Sequence, residues 1–599
     1  MRARDGKAAP FSDGTFPDGY GVAVDAQRRV YLSVRGADQN VKVFSPDGKQ
    51  VGEIGKRGGR PAHGPFNDRA MRNPGQITID SRGCLWVPEE TFNPKRTSVW
   101  DLDGRFLMDF VGTTSYAGAG AINPDNPSMA FADDTVYWID LEHPSWRPDY
   151  SVANSDDPAA IFPPRVTSRM RIITREGRVY AYSSDRTGTA LCTMLRDGHW
   201  RAAAAVGIIL PKNDLEVHIG FEHPLMSAHV GQSYAWADRN GDGLTQPEEL
   251  SFGPGDPKQR PFRRYYWGVL PDTDGTLAFV GSDDQSLVKF PIRSFTACGA
   301  PVYGVANPQV VRFEPKLAPG RSGEGHILGG SDGRVYLNRD PLCAVDKSGK
   351  IVFTYPSRHV SVHGSHTARA ARPGYLIGPS SILGTADLGG EIGEVFDLNG
   401  DLGENYLFTW DGLWIQALFK DTRGWFEIPG QAVRGMSFDA TTAGGESFGG
   451  NFVRTKDGRV YLTIGGTDAR VLQVAGLDTI QRFDGTLTYT ARQYAEAQRL
   501  ATERAAKANE PKVAKIARAA APPKLDGKPD GWPELLDESK PAILIQESAQ
   551  RRYTRVAARY DAENLYVAWR VFGPAGRIRN AGQDERLLFI PSPLGRGRG

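Results

Sequence analysis

The sequence is poor in cysteine, in long apolar runs and in surplus charge of either sign. Lys plus Arg number 72 against 70 for Asp plus Glu over 599 residues, a net charge of +2. Composition therefore marks no nucleic-acid partner. The four cysteines, Cys84, Cys192, Cys298 and Cys343, stand far apart with no Cys-x-x-Cys or haem-attachment spacing. That argues against a disulfide framework and for buried free thiols. No apolar run reaches the length of a membrane span. A Gly-x-Ser-x-Gly elbow and a phosphate loop ending in Gly-Lys-Ser/Thr are both missing, which removes two common enzyme classes. The opening MRARDGKAAPFSDG is basic without an apolar segment behind it, so it does not read as a signal peptide. An upstream piece is expected to be missing, which leaves the compartment open at this terminus.

What the chain has is turns. The 69 glycines and 41 prolines favour many short elements over long helices. From Val22 to Ile54, the apolar segments Val22–Val24, Val30–Val34 and Val41–Phe44 alternate with turn-formers. Gln50–Ile54 then follows with a one-sided pattern. These are four antiparallel strands of one meander, which cannot bury its faces alone but can in a ring of copies. The beat returns at Gln76–Asp80, Leu85–Val87 and Ser98–Asp101. It returns again, an acidic turn leading into an aromatic strand, near Asp133–Trp138, Glu176–Tyr180, Asp274–Phe279, Asp332–Tyr336 and Asp457–Tyr461. Asp-Gly or Asp-x-Gly closes each hairpin, and the aromatic anchors the strand against its neighbour.

Gly21-Val22-Ala23-Val24-Asp25 and Val43-Phe44-Ser45-Pro46-Asp47-Gly48 resemble the NHL-repeat family of β-propellers. The resemblance implies an all-β propeller over 1–488, with seven or eight blades expected. A region of different character follows at 489–523, rich in Ala, Lys and Arg and a helix former by propensity. It reads as a helical linker ending at Pro522-Pro523. In 524–599, Leu525-Asp526-Gly527, Trp532 and the run Val556–Ala568 resemble family 9 carbohydrate-binding modules. The resemblance implies a partial β-sandwich, with strands at Tyr553–Tyr560 and Asn564–Phe572. The terminal FIPSPLGRGRG is expected to add no strand, which leaves this end truncated. Trp532 is the candidate sugar-stacking ring, with a packing role as its alternative. Trp569 is expected in the core with Leu565, Val567 and Val571.

The sharpest chemical motif runs from Asp238 to Glu249, DRNGDGLTQPEE. It fits the calcium loop D-x-[DN]-x-[DN]-G-x₅-E at every required position. Asp238, Asn240 and Asp242 would offer side-chain oxygens, Leu244 its carbonyl, Gln246 an oxygen directly or through water, and Glu249 two oxygens. Ser233–Ala237 reads as a strand, so the loop resembles an EF-hand loop set into a hairpin. Its alternative is a metal-free Asp/Gly turn. His359, His363 and His366 are a weaker zinc candidate, since strand spacing and a missing fourth ligand favour ordinary loop histidines. His218, His223 and His229 are weaker again. The pairs Glu89-Glu90, Asp133-Asp134 and Asp283-Asp284 read as turn or capping residues, Glu89-Glu90 with a possible place at a channel.

The expectation is a calcium-binding propeller with a carbohydrate-binding-like extension, acting outside the cytoplasm or in the periplasm on polysaccharide or oligosaccharide. Calcium is the one cofactor expected. The alternatives are a propeller enzyme with a metal-dependent channel site (lyase, lactonase or glycan-acting hydrolase) and a propeller that binds protein partners. A gathering of His and carboxylates around a channel would favour the enzyme.

Overall fold

The computed structural model describes residues 10–12, 14–91, 93–112, 119–152, 160–164, 166, 169–184, 188–210, 223–263, 268–314, 316, 327–339, 341–358, 373–374, 376–377, 379–400, 404–419, 433–438, 449–465, 469–508, 516–523, 531–536, 543–545, 553–572, 588–589 and 592–593. The chain divides into two compact units, Met1–Arg482 and Phe483–Gly599.

The first unit is a succession of antiparallel meanders. Gly19–Val24, Val30–Val34, Asn40–Phe44 and Gln50–Ile54 pair in chain order as one sheet, and Thr78–Ile79, Cys84–Glu89, Arg96–Asp101 and Phe106–Val111 as the next. One device recurs at their turns. The carboxylate that ends a strand accepts the amide four residues on: Arg29 to Asp25 at 2.8 Å, Cys84 to Asp80 at 2.9 Å, Arg105 to Asp101 at 2.8 Å. Thr276 to Asp272 at 2.8 Å and Lys350 to Asp346 at 3.0 Å repeat it far along the chain. The aspartate thus replaces a backbone partner in the turn. The residue before the captured amide is left-handed, and glycine holds that place at Gly83, Gly104, Gly275 and Gly349.

The first two sheets pack on each other. Tyr31, Val41, Val43 and Ile54 share a core with Ile77, Leu85, Val87 and Trp100. Their edges approach so closely that a Cβ on Gly21 would lie 2.7 Å from the Gly75 carbonyl oxygen. Glu89, flagged from sequence for a possible channel position, is instead enclosed. Arg60 Nη2 and Arg96 Nη1 each donate to it at 2.7 Å, and all three side chains are buried. Glu90 pairs with Arg35 at 2.6 Å.

The later sheets close around an axis. Their innermost strands are Gly120–Asn123, Arg171–Arg175, Val269–Leu270, Ile327–Gly329, Pro379–Asp387 and Gly449–Arg454. Neighbouring inner strands pair in parallel, Val269 with Ile327 and Gly384 with Phe452. The ring shuts where the last sheet meets the strand at 120. Lys456 N donates to Pro124 O at 2.9 Å, Thr463 Oγ1 donates to Gly120 O, and Tyr461 joins the core of Ile122, Ala130 and Ile139. Closure by radial packing of antiparallel sheets is the architecture of a β-propeller. The first two sheets, which carry the NHL resemblance, supply none of the strands that border its central cavity.

In the second unit the helix Ala491–Ala508 is exposed over its described side chains apart from half-buried Leu500, with Arg499 between Glu496 and Glu503. The hairpin Tyr553–Tyr560/Asn564–Phe572 has the expected bounds, its turn held by Asp561, which accepts the Glu563 and Asn564 amides. Three features differ from expectation. Ala517–Arg518, within the supposed spacer, pairs in parallel with Arg559–Tyr560. Leu588–Phe589 and Ser592–Pro593 add short pairings to the 564–572 strand. The core is built on Trp532, Leu535, Ala557, Tyr566 and Ala568, so the inward face is the one opposite Leu565 and Val567. Tyr566 projects inward while its hydroxyl donates to Asp561 Oδ2 at 2.6 Å, and that bond fixes the register.

Candidate functional site

Two places in the first unit gather polar groups: the loop Asp238–Glu249 and the cavity at the ring centre.

The loop leaves the buried strand Ser233–Ala237 and ends in a single 3₁₀ turn, Pro247–Glu249, before Leu250–Phe252 returns antiparallel. Two left-handed glycines, Gly241 and Gly243, fold it back on itself. Asp238, buried at its start, accepts Gly241 N at 2.6 Å and Gly243 N at 3.3 Å. Glu249, buried at its end, accepts the Trp236 indole N–H at 2.9 Å and Arg239 N at 2.7 Å. First and last carboxylates of the motif are therefore both drawn inside. Burial pushes the Asp238 carboxyl up from its ordinary value, with Glu249 and Asp242 adding to that rise. Asp242 is exposed, and its Oδ2 accepts the side-chain amides of Asn240 at 2.8 Å and Gln246 at 3.0 Å. Leu244 N binds Asp242 Oδ1 at 2.7 Å.

Among the described residues Gln246 Oε1 is buried without a hydrogen bond of ordinary geometry, although it faces the Glu249 amide across the 3₁₀ turn, and Thr245 Oγ1 beside it is likewise unbonded. An amide carbonyl oxygen in the same loop as two buried carboxylates belongs to a donor chemistry that suits a hard cation. In the arrangement described, the amides of Asn240 and Gln246 face Asp242. Among the described residues no three His, Cys, Asp or Glu side chains are drawn into one ion-holding group.

The cavity has a volume of about 500 Å³ and is bordered by all six inner strands. Its walls are mainly apolar, with Ile122, Leu270, Leu328, Leu383 and Phe452 among them. Three carboxylates and three cations also border it. Asp125 is bound to Lys456 at 2.7 Å, Asp387 Oδ1 accepts Gly389 N at 2.9 Å, and Glu394 accepts Ser331 N at 2.9 Å and the Tyr336 hydroxyl at 2.7 Å. Arg454 Nη1 donates to the Asp387 carbonyl at 2.7 Å. Arg171 reaches across the centre. Its Nη1 donates to Pro271 O at 3.1 Å and to Gly329 O, and its Nη2 to Thr385 Oγ1 at 3.4 Å. Burial pushes this guanidinium below its ordinary pKa, against the pull of Glu394 and Asp272.

No histidine borders the cavity, so the gathering that would favour a metal-dependent channel enzyme is not made by the described residues. His359, His363, His366 and His218 lie outside the described residues. His223 caps the short helix Pro224–Ser227, and His229 stacks on Phe252 with its Nδ1 2.7 Å from Gln232 Oε1. Asp134 accepts Val166 N, Asp283 accepts Gln285 N, and Asp284 is buried between Arg263 and Arg339. The acidic pairs therefore serve turns and buried ion pairs. Cys192, Cys298 and Cys343 are buried free thiols, and Cys84 is partly exposed. Trp532 is fully buried beneath Arg559, whose guanidinium lies 4.8 Å from the ring centroid, so it packs rather than offering a sugar platform.

Sequence reasoning missed Arg171 and Asp397. Asp397, in the strand Glu394–Gly400, is wholly buried. Asn405 donates to its Oδ1 at 2.7 Å, and its Oδ2 has no partner. Burial raises its carboxyl to about 8. A lone acid inside Val395-Phe396-Asp397-Leu398 was the available signal.

The closed ring of meanders around a central cavity defines a β-propeller. No family model and no curated protein matches the chain. Solved structures similar to it include a streptogramin B lyase (11% identity, 78% of this chain and 96% of that one, TM-score 0.23). The Dos1 propeller (11%, 77% and 93%, TM-score 0.25) and BamB from Moraxella catarrhalis (11%, 76% and 96%, TM-score 0.22) are also similar. At such scores the fold assignment rests on the strand pairing itself. No helix among the described residues is long and apolar enough to cross a membrane.

Proposed function

We propose that this chain is a calcium-stabilised β-propeller that acts outside the cytoplasm in polysaccharide binding. The observation that carries the calcium reading is the buried Gln246 Oε1, without a hydrogen bond of ordinary geometry among the described residues, lying in the same loop as buried Asp238 and Glu249. A cation bound there would draw on Asp238, Asn240, Asp242, the Leu244 carbonyl, Gln246 and Glu249. Its role would be structural, since the loop ties the strand Ser233–Ala237 to Leu250–Phe252 and supports the sheet behind it. Loops of this type in extracellular modules work at calcium concentrations found outside cells, which supports the compartment. The polysaccharide reading rests on the resemblance of the C-terminal unit alone, and burial of Trp532 means that other side chains would make the sugar contacts.

The test is elemental analysis of the purified full chain with calorimetric titration of calcium after chelation, for wild type and Asp242→Ala. One equivalent in the wild type, a rise in Tm on adding calcium, and loss of both in the variant are expected. Asp242 is exposed, so the substitution should leave the calcium-free fold intact. A wild type that takes up no calcium and shows no thermal shift would sink the reading. Co-sedimentation of the full chain with insoluble polysaccharides tests the second half independently.

A further inference from the structure

We propose that the central cavity binds a small organic acid, its carboxylate on Arg171 and its apolar body against Leu328, Leu383 and Phe452. This goes beyond the calcium reading and does not depend on it.

The first ground is charge accounting within the cavity. Each carboxylate that borders it is already engaged, Asp125 by Lys456, Asp387 by a backbone amide, and Glu394 by Ser331 N and the Tyr336 hydroxyl. Like Asp387, Glu394 and Arg454 there, Arg171 meets only neutral partners. Its partners are two backbone carbonyls and one hydroxyl, all neutral. Among the described residues it makes no ion pair. A guanidinium carries five N–H donors, so three bonds orient the fork and leave donors over.

The second ground is the contrast with buried arginines of this chain. Arg60 and Arg96 share Glu89, and Arg339 lies on Asp284 at 3.3 Å. Half-buried Arg171 has Glu394 and Asp272 within electrostatic reach but no ion-pair contact among the described residues, so a bound anion would add a direct contact that those residues do not supply. A planar fork held by three neutral acceptors matches a carboxylate's two oxygens.

The third ground is size and lining. About 500 Å³ lies within the range of small-molecule sites, which combine apolar walls with a few fixed polar groups. Of the other two cations, Lys456 is paired with Asp125, and Arg454 is turned to the Asp387 and Gly458 carbonyls. Three cations face three carboxylates around the cavity, which disfavours a phosphate dianion, and the apolar walls favour a carboxylate with a hydrocarbon body.

The experiment uses the full chain and three matched six-carbon probes: hexanoate, hexanol and hexylamine, with inorganic phosphate as a fourth arm. Saturable thermal stabilisation by hexanoate alone is expected. Arg171→Gln should weaken it roughly 10- to 100-fold, as for loss of a charged hydrogen-bonded contact. Because that variant also removes a tie between sheets, a second measurement is made on the wild type. Modification of Arg171 by an arginine-selective dicarbonyl, followed by peptide mass mapping, should be slowed by hexanoate and not by hexanol. Equal effects of hexanol and hexanoate would overturn the proposal, since the binding would then be apolar only. Equal protection by phosphate would overturn the ligand class, and modification indifferent to every probe would overturn the site.

Discussion

The two ends of the first unit bury arginine in opposite ways. In the first pair of sheets, Arg60 and Arg96 converge on Glu89, and Arg96 also binds Asp109 at 2.7 Å, so charge is cancelled where it is buried. At the ring centre, Arg171 is fixed by neutral oxygens and makes no ion pair among the described residues, with Glu394 and Asp272 acting on it only from a distance. A cancelled cluster can only hold the fold together. A guanidinium beside a cavity with donors unspent and no ion pair keeps hydrogen bonds for something that is not part of the chain. The difference teaches where to look for function in this molecule: away from the regular repeats and toward the axis.

The largest expected effect breaks the cancelled side. Glu89→Gln leaves Arg60 with no ion pair among the described residues and Arg96 with Asp109 alone, and loss of one member of a buried ion pair costs about 3–5 kcal/mol. Denaturant unfolding followed by tryptophan fluorescence should show a loss of that size. A loss below about 1 kcal/mol would mean that water or rearrangement already screens the cluster, and the contrast with Arg171 would fail.

The same contrast explains what could be read from the chain. The first two meanders were legible because their determinants are local: Asp25, Asp80 and Asp101 each sit four residues before the amide they capture, and the strands between alternate as expected. The hairpin at 553–572 was legible for the same reason, with Asp561 at its turn. Its inward face was not, because the Tyr566–Asp561 bond chooses the face and the apolar residues occur on both. The Asp238–Glu249 motif stood out because six candidate ligand positions fall within twelve residues. Arg171 gave no such sign. In Met170-Arg171-Ile172 it looks like a solvated edge residue, and its meaning comes from Pro271, Gly329 and Thr385, distant in sequence and assembled only when the ring closes. Order of closure was illegible too, since it depends on side chains such as Tyr461 packing on Ile122 across the ring.

A second test sharpens the comparison with an acid in place of a base. Asp397 is buried in the same unit with one oxygen unpaired, and its carboxyl sits at about 8 rather than 3.8. Its folded pKa lies above its unfolded one, so the unfolded chain releases this proton first as pH rises. Stability is then full below about pH 4, falls between about 4 and 8, and levels off above. The ceiling is on the order of 5 kcal/mol, at about 1.4 kcal/mol per pH unit. Asp397→Asn removes the titration but brings a buried N–H of its own, which offsets part of the gain. The variant should be about 2–3 kcal/mol more stable than wild type at pH 8, with the difference shrinking toward pH 4. Parallel pH profiles of the two proteins that never converge at low pH would show that Asp397 does not titrate as its burial requires.

The smallest effect belongs to the ion pair at the seam of the ring. Lys456 and Asp125 join the last sheet to the strand at 120 across 2.7 Å, but the lysine side chain is 71% exposed. Exposed pairs contribute about 0.2–1 kcal/mol and are screened by salt. The seam is held instead by Lys456 N on Pro124 O and by Tyr461 in the Ile122 core, neither of which needs the ammonium. Lys456→Gln should therefore cost less than about 1 kcal/mol at low ionic strength and still less at high. Its effect on hexanoate binding should be larger in kind than in size. Freed of Lys456, Asp125 becomes an unpaired negative charge at the cavity, and binding should weaken a few-fold in a salt-dependent way, as expected for a like charge near an anion. If instead Lys456→Gln abolished binding while Arg171→Gln left it intact, the cation that matters would be the one at the rim, and the distinction between Arg171 and the ion-paired arginines would have been drawn in the wrong place.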